Sequence, residues 1–244
     1  MIRPASLAVV LVLSIAAHAE TFQITGMTKV EAQQKEEAWC WAAVIQIVAR
    51  AERVPLAQET IVRDVKGNLN VQSASFDEIT KYLVGWHGKP GVPGTWTSDA
   101  LAFRMSPGPG GGQAVPASAP ATGNVFNGPP PAQMILRYFQ IGRPMVLAYQ
   151  NSDGGDHAVV AFGGDFEGSA QGVTLKSIKL YDPMTNSEGD EDWDFFSRRL
   201  IGAWFPTIEL RDGCNTFTLG QPPDPRCQNP VQGPGVPMPG GHTF

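Results

Sequence analysis

The stretch Gln34-Lys-Glu-Glu-Ala-Trp-Cys-Trp-Ala-Ala43 places one cysteine, Cys40, directly before an apolar run that continues to Ala49. The run has no Gly or Pro and several good helix formers, which predicts a helix from about Trp39 to Arg50. A cysteine in the first turn of a helix lies where unpaired N–H groups and the helix dipole favour the thiolate. The alternative is a small, buried apolar residue in a core helix.

The N-terminus carries the pattern of a secretory signal peptide. Arg3 gives a positive start, Leu7 to Ile15 is a short apolar run, and Ala17-His18-Ala19 fits a cleavage site. We therefore expect residues 1–19 to be removed and the mature chain to be secreted or periplasmic. No later segment is long and apolar enough to predict an integral membrane segment.

Composition narrows the class of partner. The chain has 244 residues and a formal net charge of −5, with no basic patch, so nucleic acid is not an expected partner. After removal of the signal, the length suits one substantial domain or two small lobes.

The three cysteines divide into two groups. Cys214 and Cys227 stand close together in a Pro/Gly-rich tail, residues 211–244, and predict a local disulfide in an exported protein. Such a loop would add roughly 3 kcal/mol to stability. Cys40 is then a lone thiol, either buried, used in chemistry, or paired with another molecule.

The first third of the chain is predicted to be mainly helical. A short helix is expected from Leu56 to Asp64, and Ser75 with Glu78 three positions later forms a capping-box pattern before another helix. From about 85 to 131 glycine and proline dominate, which predicts a long loop or lobe connection without regular structure.

The second half is predicted to be β-rich, with antiparallel hairpins. After a helical pattern over Pro131–Phe139, strands are predicted at 145–149, 157–162 (closed by Gly163-Gly164), 173–181 and 204–210. A short helix is expected between Asp192 and Leu200. The acidic run at Ser187–Asp194 reads as a solvated loop leading to that helix, and it lacks the spacing of a calcium-binding EF-hand loop.

A thiolate nucleophile needs a partner imidazole, an orienting group and donors for the oxyanion. Of four histidines, only His157 opens an apolar strand just after a glycine turn, although a structural histidine there is the alternative. Asp182 ends the next predicted strand, and a hairpin would bring it to His157, where it would orient the ring. Gln34 could donate to an oxyanion beside the Cys40 backbone N–H.

Together these residues resemble papain-like cysteine peptidases, of the bacterial secreted, double-glycine-peptidase-like type. The likeness rests on Gln34, on Trp39-Cys40-Trp41-Ala42-Ala43, on Gly155-Asp156-His157-Ala158-Val159-Val160 and on Tyr181-Asp182-Pro183, in the order of the family. It covers about Glu31 to Leu210.

The resemblance implies an α+β, two-lobed fold over residues 20–210, with a helical N-terminal lobe and an antiparallel β-rich C-terminal lobe. It implies Cys40 as nucleophile, His157 as general acid and base, Asp182 as orienter and Gln34 in the oxyanion hole. The neighbours Trp39, Trp41, Gly155 and Asp156 are the expected substrate-binding residues. A peptide or protein substrate is implied, with no cofactor and no metal.

Three features depart from the family pattern. No long inhibitory pro-segment precedes Cys40, the orienter is Asp rather than the frequent Asn, and the 85–131 insertion has no counterpart. The insertion is a candidate surface for a protein partner. Two alternatives stay open: acyl transfer or amide hydrolysis at the same site, and a secreted binding protein or effector that has kept the fold without catalysis.

Overall fold

A computed structural model describes residues 18–87, 96–106, 113–114, 125–169 and 172–210. The chain is a mixed helix-and-sheet fold with one large sheet and few helices. The helices in the described part are α1 Cys40–Ala51, α2 Gln58–Lys66, α3 Phe76–Tyr82, α4 Ala132–Gln140 and α5 Trp193–Ser197. None of the described helices is long and apolar enough to cross a membrane.

The strands of the described part begin with β1 His18–Gln23, whose first two residues belong to the predicted signal peptide. The others are β2 Gly85–His87, β3 Trp96–Ser106, β4 Gln113–Ala114, β5 Val125–Asn127, β6 Met145–Gln150, β7 Asp156–Ser169, β8 Gly172–Asp182, β9 Ser187–Asp192 and β10 Leu200–Leu210. Their order across the sheet is β2-β3-β10-β6-β7-β8-β9, with β1 beside the second half of β7. All pairings are antiparallel except that of β3 with β5.

Helices cover both faces of this sheet. Because successive strand residues point to opposite faces, Val146 and Val160 join the core cluster of α1, α2 and α3. Their neighbours Leu147 and Val159 join a second cluster with α4 and α5. The division into two lobes stays a prediction.

Helix α1 is the centre of the first cluster. It is apolar on nearly all sides, and each residue from Trp41 to Ala49 is buried. A helix that is apolar all round belongs in an interior, and this burial holds its first residue, Cys40, at a fixed place above the sheet. The predicted bounds, Trp39 to Arg50, differ from the observed ones by one residue.

The short helices also lie close to their predicted positions. Helix α3 has the complete capping box, since Glu78 N–H donates to Ser75 Oγ and the Glu78 carboxylate accepts from Ser75 N–H. This box was predicted from the sequence, and the structure confirms it.

The interpretation of residues 85–131 as a segment without regular structure was wrong. Strand β3 runs through it for 11 residues and pairs with β10 along most of its length. Its inward residues, among them Trp96, Ala100 and Ala102, are buried. Glycine and proline on both sides conceal a strand whose own residues alternate between buried and exposed.

Two other expectations were wrong. Strand β7 does not close at Gly163-Gly164 but runs on to Ser169, because these glycines admit two neighbouring strands at close range. A Cβ at Gly163 would lie 2.5 Å from Phe22 O, and one at Gly164 would lie 2.4 Å from Ser177 O. The acidic run is not a loop, since Ser187–Asp192 forms β9 at the edge of the sheet, where charged side chains remain solvated.

Two predictions concern parts of the chain beyond the described residues. The disulfide between Cys214 and Cys227 lies in the tail, and residues 1–17 of the signal peptide precede β1. Both stay predictions.

Candidate active site

Cys40 is the first residue of α1 and is half-buried. The preceding residue, Trp39, provides no side-chain hydrogen bond to cap the helix. The first-turn amides of α1 therefore keep their partial positive charge, which favours a negative group at this end.

His157 and Asp182 meet where two paired strands begin and end. The antiparallel register of β7 and β8 sets Val160 opposite Tyr181, which brings the start of β7 beside the end of β8. His157 Nε2 and Asp182 Oδ1 are 2.7 Å apart, and His157 is only 4% exposed. Asp182 Oδ1 also accepts the backbone N–H of Met184 at 2.7 Å, which fixes the carboxylate.

The electrostatics of this pair favour the charged imidazole. Burial works to lower the pKa of His157, but the hydrogen bond to Asp182 and the interaction with the Cys40 thiol outweigh it and raise the pKa to about 9. Burial works to raise the pKa of Asp182, and the hydrogen bond to His157 with its charge lowers it below the ordinary value.

The second ring nitrogen of His157, Nδ1, is not used by Asp182. His157 Nδ1 is buried and has no hydrogen bond of normal geometry to a described residue. Since Asp182 occupies Nε2, the interaction of the ring with the Cys40 thiol belongs to Nδ1. The three groups thus stand in the order thiol, imidazole, carboxylate, as a nucleophile, a base and an orienter would.

Cys40 and His157 line one open cleft of about 850 Å³, a volume within the range of small-molecule and peptide sites. It lies on the face of the sheet that α1 and α3 cover. Its other walls include Ser75, Phe76, Arg104, Ala148, Asp156 and Trp204.

The four expected substrate-binding residues are divided. Trp41 and Asp156 line the cleft, whereas Trp39 and Gly155 are not among its lining residues. Trp41 is almost wholly buried, and its Nε1 donates to Gln72 O at 3.0 Å, so it mainly holds the chain segment before α3.

Gln34 is not among the cleft-lining residues either. Its side-chain Nε2 donates to Glu36 O at 3.1 Å and to Glu37 O at 2.8 Å, which braces the turn before Cys40. Its backbone N–H donates to Pro183 O at 2.9 Å. Gln34 therefore joins the turn of the nucleophile to the residue after Asp182, a link that the sequence did not reveal.

Sequence reasoning also missed two residues behind the imidazole. Tyr149 is the cross-strand partner of His157, and their ring centroids lie 5.7 Å apart, nearly perpendicular. The Arg199 guanidinium lies 5.0 Å from the centroid of the Tyr149 ring. Neither residue carries a local sequence signal, because only the pairing of β6 with β7 brings Tyr149 here. No group of three or more metal-binding side chains occurs among the described residues.

No protein-family model and no curated protein matches this chain. The fold is similar to the solved peptidase domain of Streptococcus ComA, a bifunctional ABC transporter involved in quorum sensing, at 13% identity and a TM-score of 0.42, covering 72% of this chain and 96% of that one. It is also similar to a protein described as a C39-like peptidase from Bacillus anthracis, at 11% identity and a TM-score of 0.43, covering 76% and 96%. Both neighbours are peptidases or peptidase domains by description, and the second is described as C39-like. At these TM-scores the likeness carries no functional argument, and the chemistry rests on the residues of the cleft.

Proposed function

We propose that this chain is an exported cysteine peptidase of the papain-like, double-glycine-peptidase-like kind, with Cys40, His157 and Asp182 as its catalytic triad. The observation that carries the proposal is the 2.7 Å contact of His157 with Asp182, in a cleft that also contains a cysteine at a helix N-terminus. In the proposed two-lobed arrangement, the helical layer supplies the nucleophile and the sheet supplies its base.

In the proposed reaction the Cys40 thiolate attacks a peptide carbonyl, forming a C–S bond while the carbonyl π electrons move to oxygen. The Cys40 backbone N–H donates to this oxyanion. We propose Gln34 as a second donor, which requires its side-chain Nε2 to release one of its two hydrogen bonds to the backbone carbonyls of Glu36 and Glu37. Collapse of the tetrahedral intermediate breaks the C–N bond, and the leaving amine takes the proton of His157 Nδ1. Water, deprotonated by His157, then hydrolyses the thioester and restores the thiolate.

The imidazole supports catalysis over a binding role, because a binding protein would not need a buried imidazole held by a carboxylate. Cleavage of peptide substrates compared with small amides separates peptide hydrolysis from hydrolysis of a small amide. Acyl transfer uses the same first step, so product analysis with added amines separates it from hydrolysis.

The test measures peptide cleavage and the alkylation of Cys40 by iodoacetamide against pH, in the wild type and in Cys40→Ala and His157→Ala. Peptide mapping by mass spectrometry assigns the alkylated residue. We expect alkylation well below pH 7 that is lost in His157→Ala, and cleavage that is lost in both variants. Cleavage by Cys40→Ala would overturn the mechanism, and an inert thiol in a folded protein would favour the binding role.

A further inference from the structure

The strand that the sequence concealed, β3, supplies one wall of the cleft. Arg104 and Met105 of this strand both line it, beside Phe76 and Glu78 of α3. The 85–131 segment therefore contributes directly to the cleft.

A row of small residues connects this wall to the catalytic end. Across the sheet, Arg104 is registered with Gly202, Gly202 with Ala148, and Ala148 with Ala158, the neighbour of His157. Three strand spacings of about 4.8 Å separate the two ends, roughly 14 Å in all. An extended peptide spans that distance with about four residues.

The rings of Trp204 and Phe76 lie over the middle of this row, at Gly202, and both rings line the cleft. A Cβ on Gly202 would lie 2.5 Å from the Trp204 ring and 3.0 Å from the Phe76 ring. Trp204 is itself held by a 2.8 Å hydrogen bond from its Nε1 to Thr80 Oγ1. One cleft thus extends from Cys40 to Arg104, and these two aromatic rings form its surface between the two ends.

Arg104 is oriented but only partly engaged. Its guanidinium lies 4.4 Å above the Phe76 ring, and Nη2 is ion-paired with Asp77, whose side chain is 80% exposed. An exposed ion pair contributes little, and a guanidinium has five N–H donors, of which one carboxylate uses two at most.

The charges of the cleft are arranged along its length. Among the lining residues that the structure describes, Arg104 is the single lysine or arginine, and it is at the end far from His157. Asp156 is at the catalytic end, and Glu78 is held by Lys66 at 2.6 and 2.7 Å. A substrate carboxylate at the Arg104 end would therefore have a cationic partner, in competition with the exposed Asp77 carboxylate.

We propose that Arg104 determines specificity by selecting peptides that carry a carboxylate about four residues from the scissile bond. This inference rests on the proposed peptidase function. The carboxylate comes from an Asp or Glu side chain or from the free C-terminus of the peptide.

The experiment digests a proteome-derived peptide library and locates the cleavage sites by mass spectrometry. We expect Asp, Glu or a free C-terminus to be enriched about four residues from the cut. Synthetic pairs then compare Glu with Gln, and a free C-terminus with an amide, which distinguishes the two sources. We expect the carboxylate peptide to have a roughly 10-fold higher kcat/KM, as a charge-assisted hydrogen bond can provide.

Variants of the full chain test whether the preference for a carboxylate depends on Arg104 itself or on the overall charge of the protein. Arg104→Gln should reduce the ratio of kcat/KM for the carboxylate peptide to that for its neutral partner to about one, and Arg104→Lys should keep part of the preference. Arg104→Glu should instead enrich Lys and Arg about four residues from the cut. Arg137→Gln, which removes a charge from α4 on the other face of the sheet, should keep the wild-type ratio. Circular dichroism and a thermal melt verify the fold, and Arg104→Lys serves if Arg104→Gln does not fold. The proposal would be overturned if the wild type made no distinction in either pair, Glu against Gln or free C-terminus against amide, or if the ratio were unchanged in Arg104→Gln.

A binding measurement tests the carboxylate site independently of the proposed peptidase activity. If the wild type cleaves no peptide, Cys40→Ala is used to capture peptides from the same library, with the Cys40→Ala, Arg104→Gln double variant as control. Enrichment of acidic peptides only when Arg104 is present supports the carboxylate site although hydrolysis has failed. No such enrichment overturns the site as well.

Discussion

The His157–Asp182 pair determines the pH range of the proposed chemistry. Because the pKa of His157 is raised to about 9, the imidazolium persists through neutrality and is lost as pH rises through that value. Its contribution to stability follows the same sign, present in full below the unfolded-state value of about 6.5 and lost as pH rises through about 9.

Replacing Asp182 with Asn should lower the pH at which the imidazolium of His157 is lost. The variant keeps a polar group at the site but removes the charge that favours the imidazolium, so the pKa of His157 falls. We expect kcat to fall by about 10²- to 10⁴-fold and the alkaline limb of kcat/KM to move to lower pH. A pH–rate profile measures both. An alkaline limb that stays near pH 9 in Asp182→Asn would show that the carboxylate does not set it.

Gln34 can act on the oxyanion or on the turn that carries the thiol, and one variant separates these roles. If Gln34 donates to the oxyanion, Gln34→Ala should lower kcat by about 10²-fold. Iodoacetamide alkylation of Cys40 should keep its rate, because no oxyanion forms in that reaction. A parallel loss of alkylation would instead assign Gln34 to bracing the turn through Glu36 O and Glu37 O.

At the scale of elements, the capping box of α3 is the device that places one wall of the cleft. Glu78→Ala removes the bond to Ser75 N–H and the ion pair with Lys66, whereas Glu78→Gln keeps an acceptor for the box. We expect Glu78→Ala to lower the free energy of unfolding by about 1 kcal/mol and Glu78→Gln by less. Urea denaturation measures the difference, with Lys81→Ala on the exposed side of α3 as the control. Equal losses in the two Glu78 variants would assign the effect to the ion pair alone.

The elements also show how far sequence reasoning extends. Helix α1 and strands β6 and β8 have patterns complete within themselves, so their type and approximate bounds were predictable. Strand β9, Ser-Glu-Gly-Asp-Glu-Asp, has no such pattern, and it is a strand because β8 pairs with it. The order of Cys40, His157 and Asp182 could be read from local motifs. The place of Arg104 could not, since it depends on the register of β3 with β10.

At the scale of the whole molecule, β1 completes the sheet. It pairs with Gly163–Gly168 of β7, on the edge that β6 leaves open. A chain that begins at Glu20, the predicted mature N-terminus, retains four of the residues of this strand. A chain that begins at Ile24 exposes the edge.

We expect the chain beginning at Glu20 to be clearly more stable than the one beginning at Ile24. Thermal melts measure the stability, and hydrogen exchange of the β7 amides shows whether the edge has opened. Faster exchange confined to Gly163–Gly168 in the shorter chain is the expected signature. Equal melting temperatures and equal exchange would show that β1 contributes nothing to the sheet.

The long separation in sequence between Cys40 on α1 and its partners on β7 and β8 has a consequence for the timing of activity. During synthesis the thiol emerges well before the imidazole, and contacts between such distant residues form late because their loop-closure entropy must be overcome first. An emerging chain therefore carries an ordinary cysteine, and the paired thiol arises only when the sheet has closed against α1. In the proposed peptidase, folding itself is then the step that assembles the reactive thiol.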